Sequence, residues 1–185
     1  DLLDTKKVDN FFKKKKPDFL IMCAAKVGGI LENKKYQLDF LLNNINIQNN
    51  LLLAAKKYNV KRTIFLGSSC IYPKNSKTPI TEECLMNGKL EKTNEAYAIA
   101  KIAGIKHCSI LFEKFDQDIV CLMPTNIYGI NDNFDIGSSH VIPGLISKFI
   151  EAKKNKKDIV VWGTGKAVRE FLYDDDLANA ILKIL

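Results

Sequence analysis

Three short apolar runs, at residues 19–24, 60–66 and 118–123, alternate with two long segments whose apolar residues return at helical spacing. Brief continuous apolar runs bounded by polar turns mark strands buried on both faces. The intervening segments, residues 36–59 and 94–115, are long enough to cross back over a sheet. In the first of them Leu38, Leu41, Leu42, Ile45, Leu52 and Ala55 form the apolar stripe. Strand and helix in alternation with short loops predict an α/β fold, a doubly wound parallel sheet of Rossmann type with helices on both faces. Ligands of such sheets gather beyond the C-terminal ends of the strands. The loops at 25–30, 67–72 and 124–128 are all expected there.

The rest of the chain fits around this alternation. Asp4 or Thr5 can cap a first helix running through Phe12, and Pro17 stops it. Gly28 and Gly29 allow close backbone approach to a ligand, and equally make a plain turn. Residues 74–90 are polar and irregular, a loop over the site, and residues 131–139 are a second polar loop. Residues 141–154 read as a helix, with Pro143 and Gly144 in or before its first turn. A short strand is expected at 159–162, a turn at 163–165 and an extended stretch at 169–173. Asp174, Asp175 and Asp176 then open a last helix, where carboxylates suit the positive end of the dipole.

Charge and cysteine usage narrow the function classes. The net charge of +7 comes almost entirely from lysine, since Arg62 and Arg169 are the only arginines. The lysine runs at 13–16 and 153–157 read as solvated surface. Nucleic-acid binding would want arginine and aromatics clustered on one element, so no nucleic-acid partner is expected. A positive field does help collect an anionic nucleotide substrate. The five cysteines, Cys23, Cys70, Cys84, Cys108 and Cys121, are an odd number without metal-ligand spacing, and no metal is expected. Cys23 and Cys121 read as small apolar fillers in buried strands, and the usage fits a reducing, cytoplasmic setting. No apolar stretch is long enough for a membrane span.

The chemistry is concentrated in two segments. Gly67-Ser68-Ser69-Cys70-Ile71-Tyr72-Pro73 follows the second apolar run, and Tyr97-Ala98-Ile99-Ala100-Lys101 lies in a helical pattern that puts Tyr97 and Lys101 on one face. A hydroxyl at a strand end, beside a phenol with an ammonium one turn away, makes a proton-transfer site. The ammonium favours phenolate and is expected to lower the Tyr97 pKa. Such a phenol exchanges a proton at a carbonyl or alcohol carbon. Singly, Ser68 is as well read as a strand-end turn, Tyr97 as a half-buried helix aromatic and Lys101 as a solvated charge. Their joint spacing favours chemistry.

These segments resemble the extended short-chain dehydrogenase/reductase family. The resemblance strengthens with Asn94-Glu95-Ala96 before Tyr97, with Met123-Pro124-Thr125-Asn126-Ile127-Tyr128-Gly129 and with Ser139-His140-Val141-Ile142-Pro143, all in one order. It covers the chain from about Leu2 onward. It implies NADPH-dependent conversion of GDP-4-keto-6-deoxy-D-mannose to GDP-L-fucose, by epimerisation at carbons 3 and 5 and reduction at carbon 4. By the same resemblance Ser68 and Tyr97 donate to the ketone oxygen and Lys101 holds the nicotinamide ribose. Cys70 and His140 match the epimerisation base and acid, and Cys70 needs a nearby positive charge to be partly thiolate. Leu66, Gly67, Ser68, Ser69, Tyr97, Lys101, Pro124, Thr125, Asn126, Ile127 and His140 would contact NADP(H). Asn126, Lys148, Trp162 and Arg169 would contact the GDP-sugar. Lys148 stands where the family carries arginine, keeping the charge but losing the two-pronged fork. His107 reads as structural or surface.

The family also carries a Gly-x-Gly-x-x-Gly turn on the dinucleotide, and no such motif occurs here. The expectation is therefore a fragment: residues 1–185 as a partial NADP(H)-binding domain lacking its first βαβ unit, with the sugar-nucleotide part starting at about 131–173 and continuing beyond Leu185. A homodimer joined through the helices at 36–59 and 94–115 is implied as well. Two other readings stay open: another extended short-chain nucleotide-sugar epimerase or 4,6-dehydratase, which would not need the Cys70 and His140 pair, and a non-catalytic dinucleotide-binding module, which typically loses Tyr97 or Lys101.

Overall fold

The computed structural model describes residues 1–161 and 163–185. Asp4 takes extended backbone and its carboxylate accepts the N–H groups of Lys6 and Lys7, so helix α1 spans Thr5–Lys15. It ends where Lys16 turns left-handed, one residue before Pro17. Strand β1 (Phe19–Met22) follows, then a loop and the short helix α2 (Ile30–Lys35), which the sequence pattern did not suggest. Helix α3 (Gln37–Lys57), strand β2 (Arg62–Leu66), helix α4 (Glu95–Phe115) and strand β3 (Ile119–Leu122) complete the main layer.

The three strands form a parallel sheet in the order β1–β2–β3, with Ile21 opposite Ile64 and Phe65 opposite Cys121. Val8 and Phe12 of α1, Leu51, Leu52 and Ala55 of α3, and Cys108 and Leu111 of α4 pack with Met22 and Phe65 into one core. Leu52 is fully buried, which contributes about 1.5–3 kcal/mol. The last helix reaches the start of β2, where the Arg62 guanidinium donates to the carbonyl of Ile184. Parallel strands joined by crossing helices make this the expected Rossmann-like α/β sheet.

Beyond β3 the chain builds a second, two-stranded parallel sheet from β4 (Asn126–Tyr128) and β5 (Phe171–Tyr173). Helix α5 (Val141–Asn155) lies between them, and α6 (Asp174–Ile184) starts with its three aspartates in the first turn. Pro143 sits in the first turn of α5, where its missing N–H costs no helical bond.

Several expectations are corrected. Residues 126–128 are a strand rather than loop. Residues 159–161 carry no strand, because β5 is the partner that β4 takes; the remaining residue of that expected strand, Trp162, lies outside the described residues. Cys23 is exposed, one position past the end of β1, so it fills no core. Cys121, as expected, lies in a strand and packs against the core. No helix among the described residues is long and apolar enough to cross a membrane.

Candidate active site

The site begins where β2 stops. The N–H of Gly67 donates to the Leu122 carbonyl (2.7 Å), and that of Ser69 donates to the Pro124 carbonyl (3.2 Å). These two bonds join the loop after β2 to the loop after β3. A Cβ at position 67 would stand 2.8 Å from the Met123 sulfur and 3.3 Å from the Leu122 oxygen, so the close approach needs glycine. Ser68 is extended, and its Oγ accepts the Cys70 N–H (3.4 Å), opening a single 3₁₀ turn over Ser69–Ile71. Ile71 is fully buried and anchors that turn.

Helix α4 supplies the partners. Ala98 and Ala100 are fully buried, and small residues let the helix lie close against the sheet end. Lys101 is 5% exposed, and its Nζ donates to the carbonyl of Leu66 (2.7 Å), the last residue of β2. The ammonium lies 5.0 Å from the Phe65 ring centre and 5.9 Å from that of Tyr97. Burial pushes the Lys101 pKa down, while the neighbouring thiols of Cys70, Cys23 and Cys108 pull it back up.

The Ser68 hydroxyl stands near enough to the Tyr97 phenol and the Cys70 thiol to favour the charged form of each. Both acids are pushed up, chiefly by burial; for Tyr97 the charge of Cys70 adds to the rise, and the nearby Ser68 hydroxyl opposes it in each. The expected lowering of the Tyr97 pKa is therefore not what the structure gives. The Lys101 ammonium is aimed at the Leu66 carbonyl, and desolvation of the phenol dominates. Lys101 does favour the Cys70 thiolate, but it is the smallest influence there and burial outweighs it. At neutral pH the cluster holds a protonated phenol and a protonated thiol.

The remaining candidates are placed differently. Thr125 Oγ1 and Asn126 Nδ2 both donate to the carbonyl of Glu170 (2.9 Å each), so both tie the start of β4 to the residue before β5. Ile127 is exposed. Arg169 is exposed and donates to the carbonyl of its neighbour Val168 (2.7 Å). Lys148 is half-buried on α5, and Trp162 lies outside the described residues. His140 is exposed at the head of α5, in extended backbone, without a capping bond from its side chain. Ser68, Cys70, Tyr97 and Lys101 thus form one connected group, while His140 stands on a separate element. His107 is half-buried against Asn49, with Nδ1 3.0 Å from its Oδ1.

Sequence reading missed three buried amides. Asn44 Oδ1 accepts the Lys26 N–H (2.7 Å), and its Nδ2 donates to the carbonyls of Lys26 (3.0 Å) and Phe40 (2.7 Å). Gln48, one turn later, donates to the Ala100 carbonyl (2.8 Å). Asn33 donates to the carbonyls of Gly28 (2.8 Å) and Gly29 (3.1 Å). The signal for the first two was polar residues four apart on the apolar stripe of α3; buried amides need partners, and these partners are backbone.

The arrangement has the make-up of an NADP(H) site. Leu66, Gly67 and Pro124 line the C-terminal ends of two parallel strands, where such sheets bind dinucleotides. Lys101 has three N–H bonds, and Leu66 takes one. The other two suit a ribose diol.

Comparison with known proteins agrees with this geometry. The model of the NAD dependent epimerase/dehydratase family matches residues 1–185. The chain is similar to the putative GDP-L-fucose synthase 2 of Arabidopsis thaliana, 50% identical over 100% of this chain and 57% of that protein. It is also similar to the GDP-L-fucose synthase of Escherichia coli K12, 48% identical over 100% of this chain and 58% of that protein. Among solved structures, a GDP-L-fucose synthetase of Naegleria fowleri bound to NADP superposes with a TM-score of 0.85 at 36% identity, over 98% of this chain and 59% of that one. The chain spans less than two thirds of the length of each of these relatives.

Proposed function

Because this chain belongs to the NAD dependent epimerase/dehydratase family, we propose that it carries the reacting half of an enzyme that converts GDP-4-keto-6-deoxy-D-mannose to GDP-L-fucose. The observation that carries the reading is the turn that holds Ser68 and Cys70 at the end of β2, with the Lys101 ammonium fixed on the Leu66 carbonyl and 5.9 Å from the Tyr97 ring.

The 4-ketone of the substrate acidifies the C–H bonds at carbons 3 and 5. Cys70 and His140 act as base and acid on the two faces of the sugar, so that each centre inverts through an enolate. Burial keeps the resting Cys70 thiol protonated, so it first gives its proton to solvent water as substrate binds, with the charge of Lys101 favouring the thiolate. Ser68 and Tyr97 donate to the enolate oxygen, and one such donor is worth about 10²–10³ in rate. NADPH, when bound, supplies the hydride for carbon 4. The protonated Tyr97 phenol hands its proton to the carbon-4 oxygen, a role its raised pKa suits. Lys101 holds the cofactor ribose. Leu66, Gly67, Ser69, Pro124, Thr125, Asn126 and Ile127 border the cofactor. Lys148 and Arg169 reach the GDP-sugar from the part that starts at about residues 131–173.

The exposed apolar residues Leu42 and Leu53 on α3 and Ile99, Ile110 and Phe112 on α4 support a homodimer joined through these helices. A single monomeric species in sedimentation would remove that part of the reading.

The test of the activity uses the complete natural protein with GDP-4-keto-6-deoxy-D-mannose and NADPH. NADPH is expected to be consumed with GDP-L-fucose as product. An unchanged NADPH signal would demote the reading, and the substrates of nucleotide-sugar 4-epimerases and dehydratases would be tried next.

A further inference from the structure

We propose that the loop of residues 26–29 is a positioning element for His140, with Gly29 as the residue that sets the spacing. The proposal rests on the reading of His140 as an epimerisation acid.

The loop leaves the C-terminal end of β1 and is held at two points by buried amides. Asn44, 2% exposed, grips both the N–H and the carbonyl of Lys26, as a neighbouring strand would. Asn33, 8% exposed, donates to the Gly28 and Gly29 carbonyls from below, and its own N–H also donates to Gly29 (3.0 Å). Lys26 adds a cation–π contact to the Phe40 ring at 5.8 Å. A backbone segment fixed this way keeps its position when something presses on it.

What presses on it is the segment that leads into α5. A Cβ at Gly29 would stand 3.2 Å from the Ser139 carbonyl oxygen and 3.5 Å from that of Ser138. Ser139 immediately precedes His140, the cap of α5. The bare Cα of Gly29 therefore fixes how near the backbone of His140 comes to the strand end where the candidate site lies. The conformation of Gly29 (φ −66°, ψ 178°) is one that any residue adopts. Alanine there brings no backbone strain, only a contact that pushes the Ser139 carbonyl away by a few tenths of an ångström.

Gly137 lies in the same approach to α5 and would carry a Cβ with no atom within 4 Å, which makes it the matched control. Asn33→Leu acts from the other side. It frees the loop by removing two donated bonds, and the loss of a buried Oδ1 that has no partner offsets part of the cost to folding.

The experiment measures solvent-deuterium incorporation at carbons 3 and 5 of GDP-4-keto-6-deoxy-D-mannose, across pH, in the complete natural protein. NADPH affinity and thermal midpoint are recorded beside it. Gly29→Ala is expected to slow incorporation at one of the two carbons about three- to ten-fold and to change the pH profile of that exchange, since small misplacements of reacting groups are costly. NADPH affinity should stay within two-fold. Asn33→Leu should shift the same carbon, and Gly137→Ala neither.

Exchange by Gly29→Ala and Asn33→Leu within two-fold of the parent at both carbons would overturn the proposal. So would a uniform fall of exchange, NADPH affinity and thermal midpoint together, which is what a merely structural loop would give. His140→Gln separates the two levels. If it abolishes exchange at one carbon while Gly29→Ala does not affect it, the positioning claim alone fails. If His140→Gln leaves both exchanges intact, the role of His140 fails and the positioning claim falls with it.

Discussion

The two sheets hold their candidate residues by different means. At the end of the three-stranded sheet, Lys101 is 5% exposed, and Ser68 and Cys70 lie on a turn pinned to the core by Ile71. At the two-stranded sheet, Asn126, Ile127 and Arg169 are exposed, and Thr125 and Asn126 hold a single backbone carbonyl, that of Glu170. The first region is arranged before anything binds. The second presents side chains whose geometry a bound ligand can still adjust. Proton transfer gains most from fixed distances, whereas contacts to a nucleotide tolerate adjustment.

The largest effect expected from this contrast is on Tyr97. Tyr97→Phe keeps the ring beside the Lys101 ammonium and removes only the hydroxyl. Loss of a positioned acid costs about 10²–10⁴ in rate, so ketone reduction should fall by that factor while NADPH affinity changes little. Single-turnover NADPH oxidation reads the first quantity and fluorescence titration the second. Arg169→Lys, on the exposed side, should act mainly through KM. If it lowered turnover as much as Tyr97→Phe, the contrast between the regions would be erased.

A second prediction concerns what holds α4 against α3. A Cβ at Gly104 would come within 2.5 Å of the Phe65 ring and 2.6 Å of Gln48 Oε1. Both neighbours are buried, and Gln48 is committed to the Ala100 carbonyl, one residue before Lys101. Overpacking of this kind costs about 1–3 kcal/mol, so Gly104→Ala should lower the unfolding free energy read by chemical denaturation by that amount and loosen Lys101 as well. Wild-type stability in this variant would mean that the two helices have room the structure does not show.

The sequence pattern reached further into the first region than into the second. Continuous apolar runs announced β1, β2 and β3; the burial on both faces that such runs imply holds for β2, while Phe19 and Ile21 of β1 are exposed. Spacing alone put Tyr97 and Lys101 on one face of α4. Strands β4 and β5 have three residues each, too short for any period to register, and of the strand expected at 159–162 the described residues 159–161 carry none. The pKa of Tyr97 was misjudged for a different reason. Spacing shows that an ammonium is near, but not that the Leu66 carbonyl takes one of its donors or that burial outweighs its charge. The amides Asn33, Asn44 and Gln48 went unnoticed because their partners are backbone atoms, which leave no mark in the pattern of side chains.

A smaller effect belongs to the two-stranded sheet. Thr125→Val removes one of the two donors to Glu170 and leaves Asn126 in place. A single net hydrogen bond at a half-exposed site is worth about 0.5–1.5 kcal/mol, so the loss of stability should stay near 1 kcal/mol. Chemical denaturation with an unchanged m-value would report it. A loss of several kcal/mol would mean that the second sheet is as tightly held as the first.

The smallest effect tests whether burial also governs titration away from the site. His107, half-buried between α4 and α3, has its pKa lowered from 6.5 by desolvation. A base with a depressed folded-state pKa binds its proton first in the unfolded chain. Its contribution is therefore neutral above about pH 6.5, and stability falls as pH drops from there toward the folded-state value, after which the slope ends. Asn49 faces the ring from α3, and an imidazolium could still donate to its Oδ1, so the loss should be shallow rather than abrupt. His107→Gln can keep a hydrogen bond to Asn49 while losing the titration. The thermal midpoint of the parent should drop more than that of the variant between pH 7 and pH 5. Parallel curves would show that His107 is as freely hydrated as the residues around Glu170, and that the ordering of the first region stops short of the α3–α4 seam.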